Sequence, residues 1–337
     1  MTTSYRQWFR QLASKIEARS TLASQGGKVE PRSSSNDAAT MQSSKVALMR
    51  GAAILLKDSD PALRSALFDA FREDFPSECY FVERDGLRFL INLRDNFISK
   101  ALFVSGETDY SKMLVAIDIL KRQRHAGASP DLLVDVGANI GSICVPAVVR
   151  GLVSKSVAIE PQPLNCRLLR SNIALNDLVD RIEVLERAAS SCDGDTLTME
   201  LSDDNWGDHR IAVSSKLGRY GEVDRKRIEV RTVGLDSIGA ISAAERPLIW
   251  MDIQGYEGHA LRGATRILSR KPPLVLEFWP YGMRRAESFE ALLASTAHYR
   301  GFFDLNEPII GLRTMDELKG LADHLGWDDR FTDILVI

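Results

Sequence analysis

The chain has 337 residues, 45% of them hydrophobic and 26% charged, with a formal net charge of −3. These are ordinary proportions for a globular protein with ample length for a core, and without a basic excess they argue against a nucleic-acid partner. No stretch approaches the roughly 18 apolar residues of a membrane span. The N-terminus lacks the apolar core of a signal peptide, and four scattered cysteines (Cys79, Cys144, Cys166, Cys192) read as reduced residues of a cytoplasmic protein.

Residues 1–45 differ from the rest. Tyr5, Trp8, Phe9, Leu12 and Ile16 share one helical face, with Arg6, Arg10, Lys15 and Arg19 among them. Such a helix in residues 1–20 can lie on a membrane surface or a partner, or simply rest on its own protein or a sister subunit, as in a homo-oligomer. Gln25-Gly26-Gly27 and Ser33–Asp37 have linker composition. The chain therefore divides into a flexible amphipathic extension over 1–45, a helical and hairpin region over 46–125, and a sheet domain over 126–337.

Lys45–Leu56 reads as a helix, and Asp60-Pro61 caps a second one to about Phe71. Asp85-Gly86 between two alternating apolar runs predicts a β-hairpin. The helix Ser111–Lys121 carries Leu114, Ile117 and Leu120 on one stripe. Strands at Leu132–Val136, Ser156–Glu160, Ile182–Glu186, Leu248–Ile253 and Pro273–Phe278 then alternate with helices, which predicts an α/β fold with a doubly wound, mostly parallel seven-stranded sheet. Thr196–Leu201 and Ile228–Val233 are inserted strands, and Phe331–Ile337 closes the sheet antiparallel.

Ligands of such sheets bind at the carboxyl ends of the strands. Leu132–Gly141 is Leu-Leu-Val-Asp-Val-Gly-Ala-Asn-Ile-Gly, a buried strand ending in small residues before a helix. Asp135, Gly137, Ala138, Asn139 and Gly141 are cofactor-binding candidates there, since small residues let a ligand approach bare backbone. Asn139 stands where a dinucleotide site needs its second glycine, and no Gly-Lys-Ser/Thr follows for a P-loop. A leading Asp repels a pyrophosphate but suits an ammonium group. Glu160, about 20 residues beyond Gly141, is spaced to hold ribose hydroxyls, with Pro161 beside it and Ala188 at the next strand end. S-adenosylmethionine offers an ammonium group, a ribose and no phosphate.

The segment Asp252-Ile253-Gln254-Gly255-Tyr256-Glu257, with Leu261-Arg262-Gly263-Ala264 downstream, resembles the signature of the FkbM-type S-adenosylmethionine-dependent methyltransferases. Val134–Gly141, Ala158–Pro161, Val233–Ile238 and Leu274–Phe278 agree with that family, and the resemblance covers roughly residues 80–337. It departs at Trp250-Met251, where the family pattern has a lysine beside the aspartate. The resemblance implies a Rossmann-like methyltransferase fold and methyl transfer to an oxygen, often a hydroxyl of a saccharide or secondary metabolite. A base that takes the hydroxyl proton would add about 100- to 10,000-fold to the rate.

Candidates for that base are Asp252, which also borders the expected cofactor, Glu257 and His209. Two of them have a plainer role open to them: Glu257 as a helix cap and His209 as a structural histidine. Asn205 and Trp206, in a polar inserted loop, and Trp279 and Tyr281, after the last parallel strand, are candidates for the acceptor pocket. Asp252, Glu257 and Glu277 are hard oxygen ligands, but no His-Asp cluster enforces a metal, and none is expected.

Overall fold

A computed structural model describes residues 60–74, 77–213, 218–326, 328 and 330–337. The expected helices at 5–16 and 45–56 and the linker at 25–37 lie outside these residues. The first described helix, α1 (Pro61–Asp74), begins as expected, with Leu63 N–H donating to the Asp60 carboxylate (2.8 Å). Strands β1 (Cys79–Arg84) and β2 (Leu87–Asn92) form the antiparallel hairpin. Asp85 (φ 50°) and Gly86 (φ 77°) both take the left-handed conformation that a type I′ turn requires.

Helices α2 (Ile98–Ser105) and α3 (Tyr110–Arg122) follow. The apolar stripe of α3 is shifted from the expected one. Tyr110, Met113, Ile117 and Leu120 are buried, while Leu114 is 47% exposed. Met113 and Leu114 lie about 100° apart around the helix, so only one can share a face with Ile117 and Leu120 and still face the core.

The doubly wound part runs through β3 (Leu132–Val136), α4 (Cys144–Val149), β4 (Lys155–Ile159), α5 (Pro163–Leu175) and β5 (Ile182–Leu185). An insertion carries β6 (Ala188–Ala189), β7 (Thr196–Leu201), β8 (Arg210–Ile211) and β9 (Lys226–Val233). After α6 (Gly239–Ala243) come β10 (Pro247–Met251), α7 (Glu257–Arg262), α8 (Thr265–Leu268) and β11 (Leu274–Phe278). The chain closes with α9 (Pro280–Arg285), α10 (Phe289–Thr296), β12 (Phe302–Asp304), α11 (Glu317–Leu325) and β13 (Thr332–Val336).

The main sheet has seven strands in the order β12-β13-β11-β10-β3-β4-β5. From β11 to β5 every pairing is parallel, and β13 runs antiparallel between β11 and β12. Strands β3, β10 and β11 are buried along their whole length. Helices on both faces of a parallel sheet demand this, which is why these strands read as unbroken apolar runs. Trp250 and Met251, where the sequence departs from the family pattern, fill two of those buried places.

From β3 the chain winds outward to β4 and β5, then returns to add β10 on the other side of β3. The order therefore reverses between β3 and β10, and a crevice opens at the carboxyl ends of the strands there. The inserted strands do not widen this sheet. They form a second, four-stranded sheet in the order β6-β9-β7-β8, with its own small core of Ala188, Met199 and Val230. The hairpin docks on α5 instead: Leu90 N–H donates to Asn172 Oδ1 (2.6 Å) and Arg88 N–H to Asn176 Oδ1 (3.0 Å).

Among the described residues no helix is long and apolar enough to cross a membrane.

Candidate active site

A crevice open to solvent lies at the switch point. Its floor comes from the strand ends: Gly137 and Asn139 after β3, Glu160 and Pro161 after β4, Ala188 after β5, and Asp252 after β10. The second sheet supplies the opposite wall through Met199, Trp206, Gly207, His209 and Ile211.

The turn after β3 is close-packed. Gly137 has φ +86°, and a Cβ there would lie 1.9 Å from the Asp252 carbonyl oxygen. Only glycine lets the β3 and β10 ends approach in this way. Asn139 takes φ +50°, its N–H donates to Glu160 Oε2 (2.9 Å), and its side-chain amide donates to the Trp206 carbonyl (2.9 Å). One residue thus joins the first strand end, the second strand end and the opposite wall.

Glu160 is buried and holds two backbone amides, Asn139 N–H on Oε2 and Gln162 N–H on Oε1 (2.8 Å). Next to it Asn165, at the start of α5, is buried with its Oδ1 unpartnered. At the β10 end Gln254 has φ +56°, and its Nε2 donates to Asp252 Oδ1 (2.8 Å) and Glu277 Oε2 (2.9 Å). Across the sheet Glu277 pairs with Asp333, whose carboxylate is ion-paired with Lys112 of α3 (2.5 Å). Lys112 also reaches Asp109 (2.9 Å). A cation therefore stands behind the carboxylates, supplied from α3 and not from β10.

The far wall is tied down on both sides. Trp206 N–H donates to Asp95 Oδ1 (3.1 Å), and Asn96 N–H donates to the Asp204 carbonyl (2.7 Å). Behind it, buried Arg210 pairs with Glu222 (2.7 Å) and with Asp208, and Arg285 of α9 pairs with Glu200 (2.7 Å). Removing one partner from such a buried network costs about 3–5 kcal/mol, so the wall is a fixed part of the fold.

Of the residues singled out in the sequence, Gly137, Asn139, Glu160, Pro161, Ala188, Trp206, His209 and Asp252 line the crevice. Others lie elsewhere. Asp135 sits beneath it, where its Oδ2 accepts Cys144 N–H at the start of α4 (3.1 Å). Ala138 is buried, and Gly141 packs toward Leu169. Glu257 is fully buried and caps the loop before α7, accepting Ile253 N–H (3.0 Å) and Gly255 N–H (3.3 Å).

Asn205 uses its side chain to hold Gly207 N–H (3.1 Å). Trp279 and Tyr281 are drawn away from the crevice into a ring cluster with Tyr220, under the Arg210 guanidinium, which lies 4.5 Å from the Trp279 ring. Tyr281 spends its hydroxyl on Glu222 (3.0 Å). Asn165, Arg187, Met199, Ile211, Gln254 and Tyr256 also line the crevice, although none is among the candidate site residues of the sequence. For Gln254 and Tyr256 the signal was present, inside the Asp252–Glu257 segment. Among the described residues no group of three or more His, Cys, Asp or Glu side chains is placed to hold a metal.

Burial raises the pKa of Asp135 to about 6, of Glu160 to about 7 and of Glu257 to about 8. It pushes Asp252 and Glu277 up as well, with the Asp333 charge adding to both. His209 moves the other way, down to about 4, through burial and then the charge of Arg225. A carboxyl raised above its unfolded value of about 4 stays protonated in the folded chain after the unfolded chain has ionised. Its contribution is complete below about pH 4 and is lost as pH rises through the folded value. The His209 contribution is complete above about pH 6.5 and lost as pH falls through 4. The raised acids, Asp333 among them, outweigh the two lowered imidazoles, His209 and His125. The melting midpoint of the ligand-free protein, measured by scanning calorimetry, is therefore expected to fall by several degrees between about pH 5 and about pH 8.5. A midpoint that rises over that interval would contradict these placements.

A doubly wound sheet with carboxylates at its switch-point crevice defines a Rossmann-like fold of the methyltransferase class. Residues 135–302 match the methyltransferase FkbM domain, and the chain belongs to that family. No curated protein matches the chain. Solved structures similar to it include methyltransferase FkbM from Methylobacillus flagellatus KT (19% identity, covering 62% of this chain and 44% of that chain, TM-score 0.38). Others are the B. subtilis m1A22 tRNA methyltransferase TrmK (14%, 67% and 63%, TM-score 0.35) and P. horikoshii TYW2 in complex with MeSAdo (13%, 83% and 83%, TM-score 0.36). The match spans less than half the length of the first of these.

Proposed function

We propose that the chain is an S-adenosylmethionine-dependent O-methyltransferase acting on a hydroxyl of a saccharide or small metabolite. One observation carries this reading: Glu160 and Asp252, from strand ends on either side of β3, line the same crevice. The lining fits the cofactor. Asn165 Oδ1 and His209 Nε2 are buried without partners on crevice-lining residues, and buried polar atoms call for polar partners. Each Glu160 oxygen already accepts one backbone amide, the Asn165 side chain adds to the same carboxylate, and the lone pairs that remain suit ribose hydroxyls. Gly137, Asn139 and Pro161 line that end, and Ala188 borders the base.

Bound there, S-adenosylmethionine supplies an activated methyl group on a positively charged sulfur. Asp252 takes the proton of the acceptor hydroxyl. Gln254 fixes its carboxylate, and Glu277, pushed up by burial and by the Asp252 charge beside it, is the member of the pair that holds its proton more tightly. Glu257 positions the loop that carries Asp252. Trp206 borders the acceptor, and the anchored wall holds it in place. Asp135 supports the turn after β3 from beneath.

Incubation of the full chain with methyl-labelled S-adenosylmethionine and a panel of saccharides and hydroxylated metabolites tests the reading. Label recovered as a methyl ether on a small acceptor is the expected result. Label found only in added tRNA or protein overturns the acceptor class.

A further inference from the structure

His209 lies just before β8, and its ring reaches back to the end of β7, where Ser202 N–H donates to Nδ1 (3.0 Å). A backbone amide can only donate, so Nδ1 is an acceptor and the ring proton of the neutral imidazole sits on Nε2. That Nε2–H has no partner, although the residue is only 8% exposed. A buried donor without an acceptor costs about 1–3 kcal/mol, and no other atom of the described chain relieves it. The ring lines the crevice beside Trp206 and Ile211. Ile211 packs on Met199 and Ala188, so this part of the wall meets the β5 end of the crevice, one strand beyond Glu160. Low pKa keeps the ring uncharged throughout the neutral range.

We propose that His209 is a cofactor-binding residue that donates a hydrogen bond from Nε2 to an unprotonated ring nitrogen of the bound nucleoside's base. The ring is a fixed neutral donor and not the base of the reaction, because its only basic nitrogen is already occupied by Ser202. This inference rests on the reading of the crevice as an S-adenosylmethionine site.

The test is calorimetric titration of the full chain with S-adenosylhomocysteine, and with analogues in which one base-ring nitrogen at a time is replaced by CH. His209→Phe is expected to bind the parent compound about tenfold more weakly than wild type, and His209→Gln, which restores a donor, to recover part of the loss. One CH analogue is expected to bind wild type and His209→Phe equally. No binding by wild type overturns the cofactor reading and this inference together. Parent affinity unchanged in His209→Phe, or a tenfold loss that persists with every analogue, overturns this inference alone. A second measurement reads the wild type and uses a variant only to assign the signal. Long-range proton–nitrogen spectra of wild type are expected to show one imidazole, absent in His209→Gln, with its proton on Nε2, whose resonance moves downfield on adding S-adenosylhomocysteine. A proton on Nδ1, or no shift, overturns the inference.

Discussion

Asp252→Asn is expected to lower kcat by about 100- to 10,000-fold, the range that a positioned base contributes, while affinity for S-adenosylhomocysteine changes only a few-fold. The substitution is nearly isosteric. The Asp252 N–H still donates to the Val136 carbonyl (3.0 Å), and the carbonyl that packs on Gly137 is untouched. The side-chain oxygen still accepts from Gln254 Nε2 (2.8 Å in the wild type). Only the capacity to take a proton is lost. Steady-state rates with an acceptor found by the labelling panel give kcat, and calorimetry gives the affinity. A drop in kcat below about tenfold would place the base elsewhere.

Glu160→Ala has its largest effect on binding. The side chain holds the amides of Asn139 and Gln162 at 2.9 and 2.8 Å and offers its remaining lone pairs to the ribose. Hydrogen bonds to a charged group are worth about 1.5–3 kcal/mol each, so losing two to the ribose weakens binding by about 100-fold or more. Stability suffers too, because two buried N–H groups are left without an acceptor at about 1–3 kcal/mol each. Glu160→Gln separates the terms: it keeps an acceptor for one amide and is expected to bind between Glu160→Ala and wild type. Calorimetric titration measures the binding, and urea denaturation measures the stability.

Much of this architecture is written in short-range patterns. Leu132–Val136 and Leu274–Phe278 are fully buried strands, so their apolar runs are visible in sequence. The Asp85-Gly86 turn is equally plain, because few residue pairs accept two positive φ values. The floor of the crevice follows from the rule that parallel sheets bind ligands at their carboxyl ends. The wall does not follow from any such rule. Trp206 and His209 reach the crevice because Asp95, more than a hundred residues earlier, holds the Trp206 amide, and Arg210 locks the segment behind them.

The same long-range network explains why Trp279 and Tyr281, placed by the strand-end rule near the acceptor, pack with Tyr220 and Arg210 instead. The edge strand β12, Phe302–Asp304, has only three residues, too short for any periodicity to register. Glu257 shows a different difficulty. A carboxylate at the start of a helix can serve chemistry or the backbone, and the amides of Ile253 and Gly255 that it holds are visible only in the structure.

The most direct measurement is titration of S-adenosylhomocysteine into the full wild-type chain, followed from about pH 8 to about pH 6. Burial places the Glu160 carboxyl at about 7, and protonation turns one acceptor site into a donor and removes the charge that strengthens the hydrogen bonds from the ribose. The expected result is one site per chain, with affinity that falls as pH drops through 7 and is lost in Glu160→Ala. No binding by the wild type, or binding that Glu160→Ala leaves unchanged, would contradict a crevice built on Glu160 and Asp252 to hold S-adenosylmethionine.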